Sequence, residues 1–191
     1  SALELVEKLG LDHLRLMPCA VPPLRHEPEC SASDRAAMVE LAVKDEPRLI
    51  CDTRELARSG KSFTIDSLIE LREEIGQVRS LCMVVGCDAV LEINKWHRWQ
   101  ELLDCAHIVV IARPGWALPE DGEVANWLRQ HALKEGQTIT DTPAGCIVVE
   151  ELRPLPVSST EIRALLKEGR SARYLAPQAV LDYIATRNLY H

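Results

Sequence analysis

Three consecutive hydroxyl side chains followed by an arginine stand out in the stretch VSSTEIR. Ser158 precedes Glu161 by three residues, which is the spacing of a capping box, so we expect Ser158 to be the N-cap of a helix. A helix N-terminus also offers unpaired N–H groups and a favourable dipole to an anion. Arg163 would lie one turn further on, where its guanidinium could clamp phosphate oxygens. The residues alone leave two interpretations open, a structural cap and a phosphate site that includes Ser159 and Thr160.

Two strongly apolar runs are followed by charged residues, Asp88 after the first and Arg113 after the second. Gly86 ends the run LCMVVG, Asp88 comes directly after it, and Arg113 follows HIVVIA. Because α/β sheets bind ligands at the carboxyl ends of their strands, we expect a crevice beside Gly86 and Asp88. An N-cap is the alternative role for Asp88. By themselves, Arg113, and Arg25 after the Pro-Pro pair, would be ordinary surface arginines.

Two aromatic stretches could hold a flat ring. KWHRW places Trp96 and Trp99 three residues apart, and both could be core anchors of a short helix. KSFTIDSL contains Phe63 and Thr64, and Thr64 could simply cap the helix that follows. Each stretch taken alone is weak evidence for a ligand site.

The segments that must position these residues alternate between short apolar runs and longer amphipathic stretches, which is the pattern of βαβ units on a mostly parallel sheet. Strands are predicted at 13–19, 48–52, 81–86, 107–113 and 146–152. The runs at 81–86 and 107–112 are apolar at nearly every position, so we expect both in the middle of the sheet.

Helices are predicted where apolar residues recur on one face. Such faces occur within 65–75, 162–166 and 180–184, with Pro177 in the first turn of the last helix. The opening SALELVEKLGLD is also amphipathic, whereas a doubly wound domain normally opens on a strand. Residues 114–143 are polar and rich in Pro and Gly, with one helical patch at 123–133, and we expect them to form an insertion between strands.

The composition bounds the function class. The chain has 191 residues, a net charge of −7 and no long basic block, so we expect one domain and neither a nucleic-acid nor an anionic-membrane partner. No signal peptide or membrane span is apparent, which makes the cytoplasm the default location. Seven cysteines, an odd number without a C-x-x-C pair and several of them in apolar runs, indicate reduced, mostly buried thiols and not disulfides or a zinc site. SGKSF is not a P-loop because Glu55 stands where glycine is required, and the histidine spacing predicts no metal site.

The chain resembles the bacterial nicotinate mononucleotide adenylyltransferases, members of the nucleotidyltransferases that carry an H-x-G-H motif. The resemblance covers essentially all 191 residues, with landmarks in the family's order: MPCAVPPLR, KSFTIDSL, VVGCDA, KWHRW, VVIARPG, VSSTEIR and LDYIATRNLYH. It implies a single Rossmann-like, doubly wound α/β domain over residues 1–191, with helices on both faces of the sheet and a C-terminal helical part at 158–191.

The resemblance also implies roles for individual residues. VSSTEIR is similar to the family's I-S-S-T-x-x-R signature for the ATP phosphates, which makes the capping and phosphate interpretations compatible. The residues implied to bind ATP are Gly86, Asp88, Ser158, Ser159, Thr160 and Arg163. Those implied to bind the mononucleotide are Arg25, Phe63, Thr64, Trp96 and Arg113. Trp96 would stack on the nicotinate ring, a contact that suits an electron-rich indole and an electron-poor pyridine.

Departures from the family pattern concern both contacts and catalysis. Cys19 stands where many relatives have Asn, Leu24 where they usually have His, and His97 where an aromatic such as Tyr is common. The family's G-G-x-F-D-P-x-H-x-G-H segment, which normally precedes the first helix seen here, has no counterpart. We therefore expect the first strand, the glycine-rich turn and both signature histidines to be missing from these residues, and no catalytic side chain among them.

The activity implied by the resemblance is transfer of AMP from ATP, with Mg²⁺ carried on the polyphosphate, to nicotinate mononucleotide. The products would be deamido-NAD and pyrophosphate, in NAD biosynthesis. One alternative is adenylation of another phosphate, in nicotinamide mononucleotide or phosphopantetheine. The other is a nucleotide-binding fragment without catalysis.

Overall fold

The computed structural model describes residues 1–23 and 28–190. Arg25 and Leu24 lie outside the described residues. The α-helices are α1 Ala2–Leu9, α2 Ala32–Val43, α3 Thr64–Ile75, α4 Cys87–Val90, α5 Leu102–Cys105, α6 Glu123–Gln130, α7 Ser159–Lys167 and α8 Gln178–Thr186. The strands are β1 Leu14–Leu16, β2 Leu49–Cys51, β3 Cys82–Gly86, β4 His107–Ala112 and β5 Ile147–Glu151. Three 3₁₀ helices span Arg54–Ala57, Ile93–Lys95 and Trp99–Glu101.

All five predicted strands are present, each within its predicted range, and they pair in parallel. β1 pairs with β2, whereas β3, β4 and β5 form a second sheet in that order. Parallel neighbours require crossover connections, and helices supply them here. The α/β class predicted from the alternating pattern is confirmed.

The expectation that both long apolar runs lie in the middle of the sheet is right for β4 and wrong for β3. β4 lies between β3 and β5, and its residues Ile108, Val109 and Val110 are completely buried. Among the described residues, β3 has a strand neighbour on one side only. Val84 is consequently 38% exposed although its sequence neighbours are apolar.

The predicted helices lie at the expected positions, but some of their bounds and caps differ from the prediction. α1, α3, α7 and α8 match the amphipathic segments, and α6 occupies part of the predicted patch within the insertion. Pro177 is the N-cap of α8 and not part of its first turn. No membrane-crossing helix, long and apolar enough for a bilayer, occurs in the described ranges. All seven cysteines are free thiols, as predicted, but only Cys87 is buried and the other six are partly exposed, so the expectation that most of them are buried is wrong.

The chain divides into two compact units, residues 1–62 with 155–191, and residues 63–154. In the first, α2 packs on α8 and β2. The buried carboxylate of Asp34 accepts hydrogen bonds from Ser31 and from the Tyr183 hydroxyl, 2.8 Å away, which lower its pKa. Arg187 lies 3.3 Å from the same carboxylate. These contacts fasten α8 to the start of α2.

In the second unit, the core lies between the sheet and the surrounding helices, and it includes Ile65, Val85, Val90, Ile108 and Val110. Hydrophobic burial of this kind is the main stabilising contribution to such a unit. A buried arginine, Arg72 of α3, joins the segments that lead into β3, β4 and β5 by donating to four backbone carbonyls.

Asp52, directly after β2, is the most strongly perturbed carboxyl of the first unit. Its oxygens lie 2.7 Å from Arg54 Nη2 and 3.0 Å from Arg15 Nη1. Burial raises the pKa of Asp52, but the hydrogen bonds from Arg54 and Arg15 outweigh that effect and hold the pKa at about 2.

We expect the contribution of Asp52 to stability to be complete above about pH 4 and to be lost as the pH falls toward 2. An unfolded aspartate has a pKa of about 3.9, so the folded state binds this proton more weakly and acid favours unfolding. The difference in free energy of unfolding between wild type and Asp52→Asn should shrink by on the order of 1 kcal/mol between pH 5 and pH 2, after allowance for solvent screening. Urea titrations at several pH values measure it. Asp45→Asn, at an exposed site, is the control, and a pH-independent difference for Asp52→Asn would contradict the assignment.

Candidate active site

The VSSTEIR stretch forms the start of α7. Ser158 is its N-cap, and the Ser158 hydroxyl accepts a hydrogen bond from the Glu161 N–H at 3.1 Å, so the predicted cap is confirmed. Ser159 and Thr160 occupy the first turn and are exposed. Arg163 donates from Nη2 to Thr160 Oγ1 at 3.5 Å. Two hydroxyls, a guanidinium and the positive end of a helix therefore lie together in contact with solvent.

The C-terminal residues pack near the guanidinium of Arg163. The Tyr190 hydroxyl lies 2.9 Å from Cys30 Sγ. Burial, together with this hydrogen bond, raises the pKa of Tyr190 to about 12, against the opposing positive charge of Arg163. On the same helix, Lys167 Nζ lies 3.0 Å from Glu29. Lys167 is thus directed toward the segment that follows residues 24–27, and Arg163 lies close enough to Tyr190 to act on it electrostatically.

Gly86, Asp88 and Arg113 gather at the carboxyl ends of β3 and β4. Gly86 ends β3 and is the N-cap of α4, so the N-cap role considered for Asp88 is wrong. Asp88 Oδ2 lies 2.8 Å from Arg113 Nη2, and both side chains are more than two-thirds exposed. The sequence assigned these two residues to different substrates, whereas the structure places them in direct contact.

Gly86 has no structural need to be glycine in the described part of the chain. Its φ of −73° and ψ of 151° are open to any residue, and a Cβ added there would meet no heavy atom within 4 Å. The space beside its backbone is open, as a site that admits a ligand close to the main chain requires.

Phe63, at the start of α3, contacts His97, the residue that follows Trp96. Phe63 is the N-cap of α3 and Thr64 is the first residue of that helix, so the suggestion that Thr64 caps it is wrong. The rings of Phe63 and His97 lie 4.5 Å apart between centroids, at an interplanar angle of 37°. Trp96 directly precedes His97 and packs, half-buried, against the core. Two motifs far apart in the sequence thus form one aromatic corner.

Trp99 packs against the hydrophobic core. Its ring meets that of Trp127 edge-on, with centroids 5.0 Å apart, and both rings pack against the buried cluster of this unit. This is the role that the sequence favoured for Trp99. His97 is the member of the aromatic corner that sequence reasoning left without a role, since no local pattern indicates its contact with Phe63.

Residues 1–23 and 28–190 contain no group of three or more His, Cys, Asp and Glu side chains that could hold one metal ion. The described residues therefore do not indicate a metal site made of protein side chains alone. Mg²⁺ prefers to keep waters and to bind substrate phosphates, with one or two carboxylates at most. A nucleotide-borne Mg²⁺ is therefore compatible with this donor set, and Asp88 is an exposed carboxylate just after the end of β3.

Comparisons with known proteins agree with one another. The cytidylyltransferase-like family model matches residues 2–165. A protein of Cellvibrio japonicus named probable nicotinate-nucleotide adenylyltransferase is 46% identical over 189 residues, which cover 99% of this chain and 89% of that protein. One with the same name from Aeromonas hydrophila is 43% identical, covering 99% and 88%.

Among solved structures, a Plasmodium falciparum nicotinic acid mononucleotide adenylyltransferase complexed with NaAD superposes with a TM-score of 0.68 at 16% identity, over 99% of this chain and 90% of that one. At this identity the similarity establishes the fold, which is the predicted Rossmann-like α/β fold. The sequence relatives also establish the family. The chain belongs to the cytidylyltransferase-like family and, within it, to the bacterial nicotinate-nucleotide adenylyltransferases.

Proposed function

We propose that this protein transfers AMP from ATP to nicotinate mononucleotide and releases pyrophosphate. The product is nicotinate adenine dinucleotide, or deamido-NAD, and the reaction is a step of NAD biosynthesis. The observation that carries the proposal is 46% identity, over nearly the whole chain, to a protein named probable nicotinate-nucleotide adenylyltransferase. The phosphate-binding character of the start of α7 and the aromatic corner at Phe63 and Trp96 support it.

The chemistry is an exchange of phosphate esters. A phosphate oxygen of the mononucleotide attacks the α-phosphorus of ATP, the bond from that phosphorus to the bridging oxygen breaks, and pyrophosphate leaves with the electron pair. Such a transfer needs positioning and charge neutralisation more than a protein nucleophile. Mg²⁺ enters as part of the nucleotide substrate, where it neutralises charge on the polyphosphate.

We assign the ATP phosphates to the start of α7. The exposed hydroxyls of Ser159 and Thr160 and the guanidinium of Arg163 can donate to phosphate oxygens. Ser158 holds the helix start through its cap, so the N–H groups of the first turn keep their direction. Gly86 and Asp88 would contact the nucleotide at the end of β3, where the open space beside Gly86 admits it.

We assign the mononucleotide to a second set of residues. Trp96 would stack on the pyridine ring beside Phe63 and Thr64, whose backbone N–H groups at the start of α3 suit a carboxylate. Arg113 and Arg25 would contact the ribose and phosphate. Arg113 already has an acidic partner in Asp88, so a substrate phosphate would compete with that carboxylate for the guanidinium.

We further propose that residues 1–191 act as one nucleotidyltransferase domain in the cytoplasm. The seven free thiols support this location, since reduced cysteines are typical of the cytosol.

Gly86→Ala is expected to raise the KM for ATP about tenfold while leaving stability unchanged or slightly higher. The alanine methyl meets nothing in the protein and reduces the entropy of the unfolded chain, but it would occupy space that we assign to the nucleotide. Initial rates against ATP concentration, with a thermal melt, measure both effects. An unchanged KM would remove Gly86 from the proposed site, and a lowered melting temperature would point to a structural role.

Pyrophosphate release from Mg-ATP, with and without nicotinate mononucleotide, tests the proposed function. We expect release that depends on the mononucleotide and a product that contains the dinucleotide. Nicotinamide mononucleotide and phosphopantetheine serve as competing acceptors. Faster turnover with either of them would replace the proposed substrate, and nucleotide binding without release from any acceptor would indicate a non-catalytic binding protein.

A further inference from the structure

Tyr190, which follows α8, is anchored to the segment that precedes α2. Its hydroxyl lies 2.9 Å from Cys30 Sγ, and its side chain is half-buried. The backbone of Tyr190 is in the left-handed region, with a φ of 61°. Because that conformation is uncommon for residues other than glycine, surrounding contacts must maintain it. The Cys30 contact is one of these, and it fixes the place of the phenol ring.

A second contact joins the same segment to α7. Lys167 Nζ lies 3.0 Å from Glu29 Oε1, and Glu29 directly precedes Cys30. The segment is thus held at two adjacent residues, by α7 at one and by Tyr190 at the other. Both side chains of the ion pair are about half exposed, so the pair by itself is weak. We therefore expect the neighbouring Cys30 contact to keep Glu29 within reach of Lys167.

The two contacts lie close to Arg163, whose guanidinium is assigned above to the ATP phosphates. Arg163 and Lys167 are four residues apart on α7, so they share one face of the helix. The charges of Arg163 and Glu29 both act on the Tyr190 hydroxyl, which places a cation and an anion within electrostatic reach of one phenol. Burial and the Cys30 hydrogen bond raise the pKa of Tyr190 to about 12. The phenol is therefore neutral near neutral pH and forms no ion pair with the guanidinium.

Arg163 makes no ion pair among residues 1–23 and 28–190, although the charge of Glu29 reaches the same phenol. Its side-chain contact there is with the Thr160 hydroxyl, 3.5 Å from Nη2. An ion pair between Arg163 and a carboxylate would have to break before the guanidinium could bind a phosphate. Holding Glu29 on Lys167 therefore keeps Arg163 available for the nucleotide.

We propose that Tyr190 is a positioning residue for ATP binding. By holding Cys30, it keeps Glu29 on Lys167 and leaves the Arg163 guanidinium for the ATP phosphates. This inference rests on the function proposed above, because it takes the start of α7 as the phosphate site. In this role Tyr190 touches no substrate and acts through Arg163. Loss of its hydroxyl should therefore have no effect on ATP once Arg163 is removed.

Calorimetric titration of the protein with ATP, together with initial rates of pyrophosphate release, tests this role. Tyr190→Phe keeps the ring but removes the hydroxyl. We expect the Kd for ATP to rise and kcat/KM for ATP to fall, each about fivefold, which is the worth of one hydrogen bond. Cys30→Ala should have the same effect, and the double variant should be no worse than either single one, since both remove one contact. Cys30→Ser keeps a polar partner for the phenol and should retain most of the affinity.

Two further variants separate positioning from stability. In the Arg163→Ala background, Tyr190→Phe should change the Kd and kcat/KM for ATP by less than about twofold. Tyr183→Phe is the matched control, because the Tyr183 hydroxyl also bonds to another element, at Asp34 of α2. We expect Tyr183→Phe to lower the melting temperature and to leave the Kd for ATP unchanged.

The positioning role is rejected if Tyr190→Phe leaves ATP binding unchanged, if it weakens binding equally in the Arg163→Ala background, or if Tyr183→Phe weakens binding as much. The proposed function stands in each of these cases as long as the wild type releases pyrophosphate with nicotinate mononucleotide. A wild type that binds ATP without releasing pyrophosphate would overturn the proposed function, and the Kd values would still decide the role of Tyr190. A wild type that binds no ATP would overturn both.

Discussion

Arg72→Leu is expected to lower the free energy of unfolding by about 3–5 kcal/mol, which is a large share of the stability of a domain of ordinary size. Arg72 is 6% exposed. Its guanidinium donates to the carbonyls of Cys105, Gly76, Arg79 and Pro143, at distances between 2.6 and 3.0 Å. A leucine would fill much of the space but remove the Arg72 donors from these four carbonyls, of which that of Pro143 keeps a hydrogen bond from the Leu81 N–H. A carbonyl left without a donor away from water costs about 1–3 kcal/mol.

The geometry makes the effect specific to arginine. A guanidinium carries five N–H donors in a fixed planar fork, whereas the lysine ammonium is a point charge with three. Arg72→Lys should therefore lose roughly half as much stability as Arg72→Leu. Arg79→Leu, at an exposed side chain, is the matched control and should change stability by less than about 0.5 kcal/mol.

Urea denaturation, followed by tryptophan fluorescence and by circular dichroism, measures these changes. The two probes should lose signal together if residues 63–154 unfold cooperatively. A loss below about 1 kcal/mol for Arg72→Leu would mean that water or rearranged loops satisfy the four carbonyls, and that the guanidinium does not hold these loops in place.

Arg163→Ala is expected to lower kcat/KM for ATP about a hundredfold, which corresponds to about 2.7 kcal/mol of lost transition-state stabilisation. Negative charge accumulates on the polyphosphate as pyrophosphate leaves, and a positioned guanidinium stabilises it more in the transition state than in the ground state. The Arg163 side chain is half-buried and oriented by Thr160, so it loses little conformational entropy when ATP binds.

Arg163→Lys should recover part of this loss, since a lysine keeps the charge but not the planar pair of donors. Arg170→Ala is the control, because Arg170 is exposed and pairs with Glu168 just beyond α7. The thermal melts of all three variants should match the wild type. If Arg163→Ala turned over normally, or if Arg170→Ala were equally impaired, the phosphate role of the VSSTEIR arginine would have to be given up.

Local patterns in the sequence were sufficient for the five strands and for most of the longer helices. Strands appeared as short apolar runs and helices as amphipathic stretches. The reason is that the spacing of apolar residues along the sequence reflects whether one face or both faces of an element are buried. The Ser158 cap followed from a spacing of three residues, since its donor and acceptor lie on the same turn. α2 was not singled out, because its apolar side chains are spread around the helix and do not form one stripe.

The resemblance to the family predicted what these local patterns do not, namely which residues lie near ligands. The landmarks placed Gly86, Asp88, Arg113, Phe63, Thr64 and Trp96 near ligands. The structure puts Asp88 in contact with Arg113 beside the end of β3, and Phe63 in contact with His97, the neighbour of Trp96. The assignment of each residue to ATP or to the mononucleotide stays a prediction, and the Asp88–Arg113 contact shows why a residue-by-residue division is hard to make from motifs alone.

The sequence by itself determined the five strands, most of the longer helices, the fold class and the family of this protein. All of these depend on neighbours within a few turns or on motifs in order. Only the tertiary structure decided that β3 has one strand neighbour among residues 1–23 and 28–190, that Arg72 binds four carbonyls and that His97 packs on Phe63. These contacts join residues distant in the chain, and their energy depends on geometry that no local pattern of residue types encodes.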